Sequence, residues 1–367
     1  MNKAYINATS IKSALGNTKE TIDAIYNKET SLKSFDDIVP EKTVCIGKFS
    51  DSRTFQELLD ETLQEILSSS NLQDYTNTLL LVGSSVGGMA TTERVFFKEN
   101  SYKNINIKTH TIDAIASRLD ANHNFLATRS YSTACTSSAN ALKSAKELLQ
   151  VGAYENILVL GVDEICMTTI FGFSALGILS DEMCTPFQND RKGMNVAEGI
   201  GALLLQNTKD KNSIELVGAG TSSDAFHIAN PDPTAKGAIA AITNALRDAS
   251  LDAHQVSYIN AHGTGTMAND ATEAKAILEV FGKDIYVSSS KSNIGHTLGA
   301  AGAIEAIICV EALKNSAVPP QIKCDNNETS LNFVSETKSV KMNFALSNSF
   351  AFGGNNTSLI FGVCDEN

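Results

Sequence analysis

Short apolar runs at 79–82, 157–162 and 200–205 are separated by longer stretches whose apolar residues recur every three or four positions. From Ile214 the same alternation starts again, with strands predicted at 214–218, 256–261 and 285–288 and helices at 234–249, 270–281 and 298–313. Continuous apolar runs of this length suit strands covered on both faces, and the intervening stretches suit the helices that cover them. Such alternation restricts the chain to an α/β fold with largely parallel sheets. Two similar halves, 1–212 and 213–367, sharing one packed body are expected, because no low-complexity linker divides them.

The first half adds a strand at 5–8, a helix capped by Asn17 or Thr18, and a helix at 55–67 with Phe55, Leu58, Leu59, Leu63 and Ile66 on one face. The strand at 79–82 runs into the turn GSSVGG, whose spacing is neither the P-loop nor the dinucleotide pattern. Close backbone packing is the expectation there. Residues 101–124 are polar apart from a helical patch at 112–119, which suits a surface excursion or part of a subunit contact.

In the stretch YSTACTSSAN, Cys135 lies among small residues, between a strand at 129–133 and a helix marked by Leu142, Ala145, Leu148 and Leu149, with Lys143, Lys146 and Glu147 facing away. A thiol at a helix entrance feels unpaired N–H groups and the positive dipole end, which favour thiolate and lower its pKa. A cysteine of no special role would instead pack as a small hydrophobe.

The charge balance, 29 basic against 41 acidic residues for a net of −12, argues against nucleic acid or an anionic membrane as the main partner. Seven scattered cysteines without a CxxC pair suggest neither a disulfide framework nor a zinc site, and fit a reducing cytoplasm. The N-terminus lacks the apolar core of a signal peptide. The most apolar internal run, 298–310, carries Glu305 and is too short to span a bilayer.

Three further segments bring reactive or small residues to strand ends, where sites of open α/β sheets lie. YINAHGTGT supplies His262, SSSKSNIGHTLGAAGAIEAI supplies Lys291, His296 and Glu305, and ALSNSFAFGGNNTSLIF turns at Phe350, Phe352, Gly353 and Gly354. His110, His123, His227 and His254 are expected to be structural. No metal is expected, because no carboxylate or second histidine stands at ligand spacing around His262 or His296. Glu305 is the one charge in its apolar run and needs a partner or a proton, and Lys291 is the candidate partner.

TACTSSAN, AHGTGT, KSNIGHTLGAAGAIEA and SNSFAFGGNN, in that order, resemble the β-ketoacyl-acyl carrier protein synthases of the elongating type, and PFQNDRKGMNVAEGIGALLL resembles a further segment of that family. The resemblance implies a thiolase-like fold, five-layered α/β/α/β/α and normally dimeric. It implies a catalytic centre of Cys135, His262 and His296, with Lys291 ordering the second histidine and Glu305 as its ion partner. The backbone N–H groups of Cys135 and Phe352 would hold the oxyanion. Thr264 and Thr266 would bind the phosphopantetheine arm, Phe352 would gate the acyl pocket, and Val86 and Phe350 would lie near it.

The implied reaction is decarboxylative Claisen condensation of a malonyl thioester with an acyl group on Cys135, elongating a fatty acid or polyketide chain. The enzyme would need no cofactor of its own, since the arm arrives on acyl carrier protein. Arg191 and Lys192 are the candidate docking patch for that acidic partner. The chain would form a homodimer, or a heterodimer with a related ketosynthase or chain-length factor. Two alternatives are a non-catalytic partner subunit, which usually lacks the cysteine, and a cysteine hydrolase, which leaves the second histidine and the Lys291/Glu305 pair without roles. Three departures stand out: Ala351 in place of the usual glycine, Lys192, Gly193 and Met194 in place of Asp-Gly-Phe, and short connections before Cys135 and between Thr168 and Pro186. A Cβ at Ala351 would restrict the turn if φ there is positive.

Overall fold

The computed structural model describes residues 2–50, 52–327 and 329–364. Its first five principal strands are Tyr5–Ser13 (β1), Thr78–Gly83 (β2), Ala127–Tyr131 (β3), Asn156–Asp163 (β4) and Gly199–Gln206 (β5). The next five are Ile214–Ser223 (β6), Val256–Asn260 (β7), Tyr286–Ser288 (β8), Phe344–Phe350 (β9) and Asn355–Val363 (β10). The first set lies in the order β3-β2-β4-β5-β1 and the second in the order β8-β7-β9-β10-β6. In each set the first three strands are parallel and the last two antiparallel to their neighbours. One topology is therefore written twice, although no residue-level repeat survives. The sets join where β1 pairs with β6 through Tyr5↔Glu215 and Ile6↔Ile214.

The principal helices, each of two turns or more, are Thr18–Tyr26 (α1), Phe55–Ser68 (α2), Met89–Glu99 (α3), Ile112–His123 (α4), Ser137–Gln150 (α5), Met167–Ala175 (α6), Lys236–Ala249 (α7), Met267–Phe281 (α8) and Ala301–Asn315 (α9). Helices α5 and α9 pack on each other and on strands of both sets, so they form a central layer. The outer layers are α2 and α4 on one side and α7 and α8 on the other, each over its own apolar cluster. These are the five layers of the thiolase-like arrangement. Among the described residues, no helix is long and apolar enough to cross a membrane.

Position in the layers explains where the sequence reading held and where it failed. Helix α1 is capped by Asn17 in a full capping box with Glu20, one of the two caps expected. Lys146, expected to face away, is instead 1% exposed, because α5 is covered on nearly all sides; its ammonium meets Asp248 of α7 at 2.7 Å. Helix α9 is buried almost all round, which is why its sequence shows no polar stripe. The GSSVGG turn is close packing, as expected: a Cβ on Gly83 would stand 2.5 Å from the Ser138 backbone, and one on Gly88 would stand 1.8 Å from the Thr109 carbonyl oxygen.

Candidate active site

Cys135 sits on the turn between β3 and α5, one residue before the cap of the helix. Ala134 takes φ of +52°, a left-handed state that costs a side-chain-bearing residue about 1–2 kcal/mol. Hydroxyls hold it there. Thr136 Oγ1 donates to the Thr133 carbonyl at 2.6 Å, Ser137 Oγ donates to the Ala134 carbonyl at 2.6 Å, and Asn140 Nδ2 donates to Thr133 Oγ1 at 2.8 Å. The small polar residues around the cysteine are thus the fastening of a strained turn that lifts the sulfur toward the second half.

His262 follows β7 and His296 follows the one-turn helix Lys291–Ile294. His296 Nε2 lies 3.1 Å from Cys135 Sγ, and the two imidazoles meet edge to face with centroids 5.1 Å apart. The main chain fixes His296 on both sides, its N–H donating to Asn195 O at 2.7 Å and its carbonyl accepting from Ala197 N at 2.9 Å. Burial first, and then the Lys291 charge, hold both imidazoles well below the usual histidine range, so both are neutral.

Burial also pushes the Cys135 thiol up to about 12, with Lys291 pulling the other way. This runs against the helix-end expectation of a lowered thiol: desolvation of the anion opposes the dipole at the half-buried sulfur. Lys291 departs from expectation as well. It pairs with Glu305, both side chains being 1% exposed, and its ammonium donates to the His262 carbonyl at 2.5 Å and lies 3.5 Å from His262 Nδ1. It orders the first histidine rather than the second, because His296 turns away toward the sulfur.

Two cavities meet at the sulfur. The larger, of about 460 Å³, reaches the surface past His262, Thr264, Thr266, Phe350 and Phe352. The smaller, of about 270 Å³, is bounded by Val86, Phe173, Leu298 and Phe352. Thr264 and Thr266 share a hydroxyl hydrogen bond of 2.9 Å on the wall of the larger one. His227, set aside from the sequence, lines that cavity too, its Nδ1 accepting from the N–H groups of Ala229 and Asn230 at 3.1 Å.

Arg191 and Lys192 part company. The Arg191 side chain is 8% exposed, donating to the carbonyls of Gln188, Thr266 and Met267 and lying 3.5 Å from Asp270. It fastens the loop from within, on the wall of the larger cavity. Lys192, with 55% of its side chain exposed beside Glu182, remains outside. Ala351 has φ of −119°, so its Cβ causes no strain, and Met194 is buried against Val196 and Leu298 where phenylalanine is usual.

Two carboxylates escaped the sequence reading. Glu273 on α8 accepts from the N–H groups of His262 and Gly263, both at 2.8 Å, and burial pushes it up to about 7. Its signal was present: Asp270 and Glu273 fall on the same helical face as Ala274 and Ile277, where a surface charge does not belong. Asp163, at the end of β4, accepts from the GSSVGG turn, and burial pushes it up to about 6. The turn does cradle an anion, and the anion is a carboxylate of this chain.

The comparisons agree with this geometry. The model of the β-ketoacyl synthase N-terminal domain matches residues 18–211, and that of the C-terminal domain matches residues 214–325. The 3-oxoacyl-[acyl-carrier-protein] synthase 2 of Rhizobium meliloti is 34% identical over 314 residues, covering 78% of this chain and 74% of that protein. The corresponding synthase of Synechocystis sp. is 40% identical over 249 residues, 62% of this chain, and the match spans only 60% of that relative. Among solved structures, a chain of a ketosynthase in complex with its chain length factor from Xenorhabdus doucetiae superimposes with a TM-score of 0.88 at 31% identity, covering 99% of this chain and 98% of that one. A β-ketoacyl synthase from Burkholderia phymatum superimposes with a TM-score of 0.89 at 24% identity over 100% of both chains, a likeness of fold. With both halves matched and a cysteine and two histidines converging on one cavity, the chain belongs to the β-ketoacyl synthase family.

Proposed function

We propose that the chain catalyses decarboxylative condensation of a malonyl thioester with an acyl group carried on Cys135, elongating a fatty acid or polyketide chain. The observation that supports this most is the contact of His296 Nε2 with Cys135 Sγ at 3.1 Å beside a second neutral imidazole. The carrier would be acyl carrier protein, whose phosphopantetheine arm enters the larger cavity past Thr264 and Thr266.

In the first step the sulfur attacks the acyl carbonyl, the backbone N–H groups of Cys135 and Phe352 hold the oxyanion, and the thiol proton ends on the departing arm. A hydrogen on His296 Nε2 aimed at the sulfur favours its anionic character in the attack. In the second step the malonyl C–C bond breaks and carbon dioxide leaves. Its electron pair becomes an enolate that neutral His262 and His296 stabilise as N–H donors. The enolate carbon then attacks the acyl carbonyl, and the cysteine leaves as thiolate and regains a proton from solvent.

Neutral histidines suit this step, since donors that keep their protons stabilise the enolate without quenching it. Lys291 supports the centre by holding the His262 main chain, with Glu305 as counterion. The halves of the fold meet at this centre, the first supplying the sulfur and the second the imidazoles.

Among the alternatives, a non-catalytic partner subunit has no use for the sulfur-imidazole contact, and a hydrolase has none for a second neutral histidine. The chain would work in the cytoplasm as a homodimer, or beside a chain length factor as the Xenorhabdus ketosynthase does. Incubation with acyl-carrier and radiolabelled malonyl-carrier thioesters should release labelled carbon dioxide and yield β-ketoacyl-carrier in equal amounts. Release of free fatty acid without either product would show a hydrolase instead.

A further inference from the structure

Asp163 is 1% exposed and takes part in no ion pair among the described residues, yet it is hydrogen-bonded on both oxygens. Oδ1 accepts from Ser84 Oγ at 2.6 Å and from Ser85 N and Val86 N at 3.0 Å; Oδ2 accepts from Ser85 N at 2.9 Å and Gly299 N at 2.6 Å. One carboxylate thus ties the turn after β2 to the turn after His296. Each turn carries a wall of the smaller cavity beside Cys135, Val86 on one side and Leu298 on the other.

The second turn needs holding. Leu298 takes φ of +53°, a state that side-chain-bearing residues rarely adopt. Gly299 approaches so closely that a Cβ there would stand 2.6 Å from Ser85 N and 2.8 Å from Asp163 Oδ2. His296 does not depend on this tie, being anchored through Asn195 and Ala197. Loosening Asp163 should therefore move the cavity wall and leave the imidazole in place.

We infer that Asp163 is a positioning residue for the acyl group on Cys135, holding Val86 and Leu298 at the spacing that admits the chain. The inference rests on the proposed acyl transfer to Cys135. Only a carboxylate accepts on both sides; an amide would set its NH₂ against the Ser85 or Gly299 N–H, and two donors must separate.

The test compares full-length wild type, Asp163→Asn and Ser84→Ala. Acylation of Cys135 by acetyl and dodecanoyl pantetheine thioesters is followed by intact-protein mass spectrometry, alongside carbon dioxide release from malonyl-carrier. Asp163→Asn should slow dodecanoyl transfer about 10-fold or more relative to acetyl transfer, the scale on which a pocket discriminates by size, while decarboxylation stays within about 2-fold. Ser84→Ala, which keeps the carboxylate and the Gly299 bond, should show the same discrimination at reduced size, and it decides the matter if Asp163→Asn does not fold. An equal fall in all three rates, or no discrimination between chain lengths, overturns the inference. Wild type that takes up no acyl group overturns the reading beneath it as well.

Discussion

His296 presents Nε2 to Cys135 Sγ at 3.1 Å while its Nδ1, though buried, has no hydrogen-bond partner among the described residues. The ring is held by its main chain and by packing, and its whole polar function faces the sulfur. Replacing His296 by alanine should lower malonyl decarboxylation by about 10²-fold or more, the usual worth of a positioned proton-bearing group, and lower Cys135 acylation less. Single-turnover measurements of each step separate the two. Equal losses would mean that the imidazole serves the first step as much as the second.

The state of the thiol is open to a direct chemical check. Because burial pushes Cys135 up to about 12, the thiolate fraction of the resting enzyme should rise about tenfold per pH unit below that value. Alkylation of Cys135 by iodoacetamide, read by peptide mass spectrometry, should therefore keep accelerating from pH 6.5 to 9 in about tenfold steps per unit. A plateau at or below neutral pH would show that the helix end and His296 win over desolvation.

Lys291 and Glu305 are both 1% exposed and face each other. Lys291→Ala leaves a buried carboxylate without its cation and should cost about 3–5 kcal/mol in urea unfolding. The double variant Lys291→Met with Glu305→Gln removes both charges and should recover most of that stability. It should still decarboxylate slowly, because the donor to the His262 carbonyl is gone. Full activity in the double variant would confine the pair to a structural role.

Much of this molecule was legible beforehand, and the reasons are physical. Strands β2, β4 and β5 are covered on both faces and so spell continuous apolar runs. Glu305 stood out because it interrupts such a run. Helix α3 escaped notice because only Ala90 is buried along it, leaving no stripe to read, and α6, with Phe171, Gly172 and Phe173 in succession, has no polar face to contrast with an apolar one. Lys146 and Arg191 misled for one reason: a long cationic side chain reads as surface, whereas here both stems are covered, Lys146 reaching out to the exposed Asp248 and Arg191 lying beside the buried Asp270. Asp163 escaped because a carboxylate bonded to backbone N–H groups leaves no mark in the residues that supply them, whereas Glu273 was marked by its place on the apolar face of α8 and was overlooked.

Arg191 and Lys192 now carry opposite expectations. Lys192→Glu changes an exposed charge and should raise KM for carrier-bound substrate while sparing small pantetheine thioesters. Arg191→Glu buries a second carboxylate beside Asp270 and should destabilise the protein and depress activity with both kinds of substrate. Urea unfolding and paired kinetics distinguish them. A Lys192→Glu variant affected equally on both substrates would remove the lysine from any docking role.

The central claim is that the sulfur at the meeting point of the two cavities carries the growing chain. Intact-protein mass spectrometry of wild type and Cys135→Ala, each incubated with acyl-carrier thioesters of several lengths, tests it most directly. Wild type should gain the mass of one acyl group per chain and the variant none, the adduct mapping to the peptide that holds Cys135. An adduct that persists in Cys135→Ala, or no adduct in wild type at any length, would contradict the account.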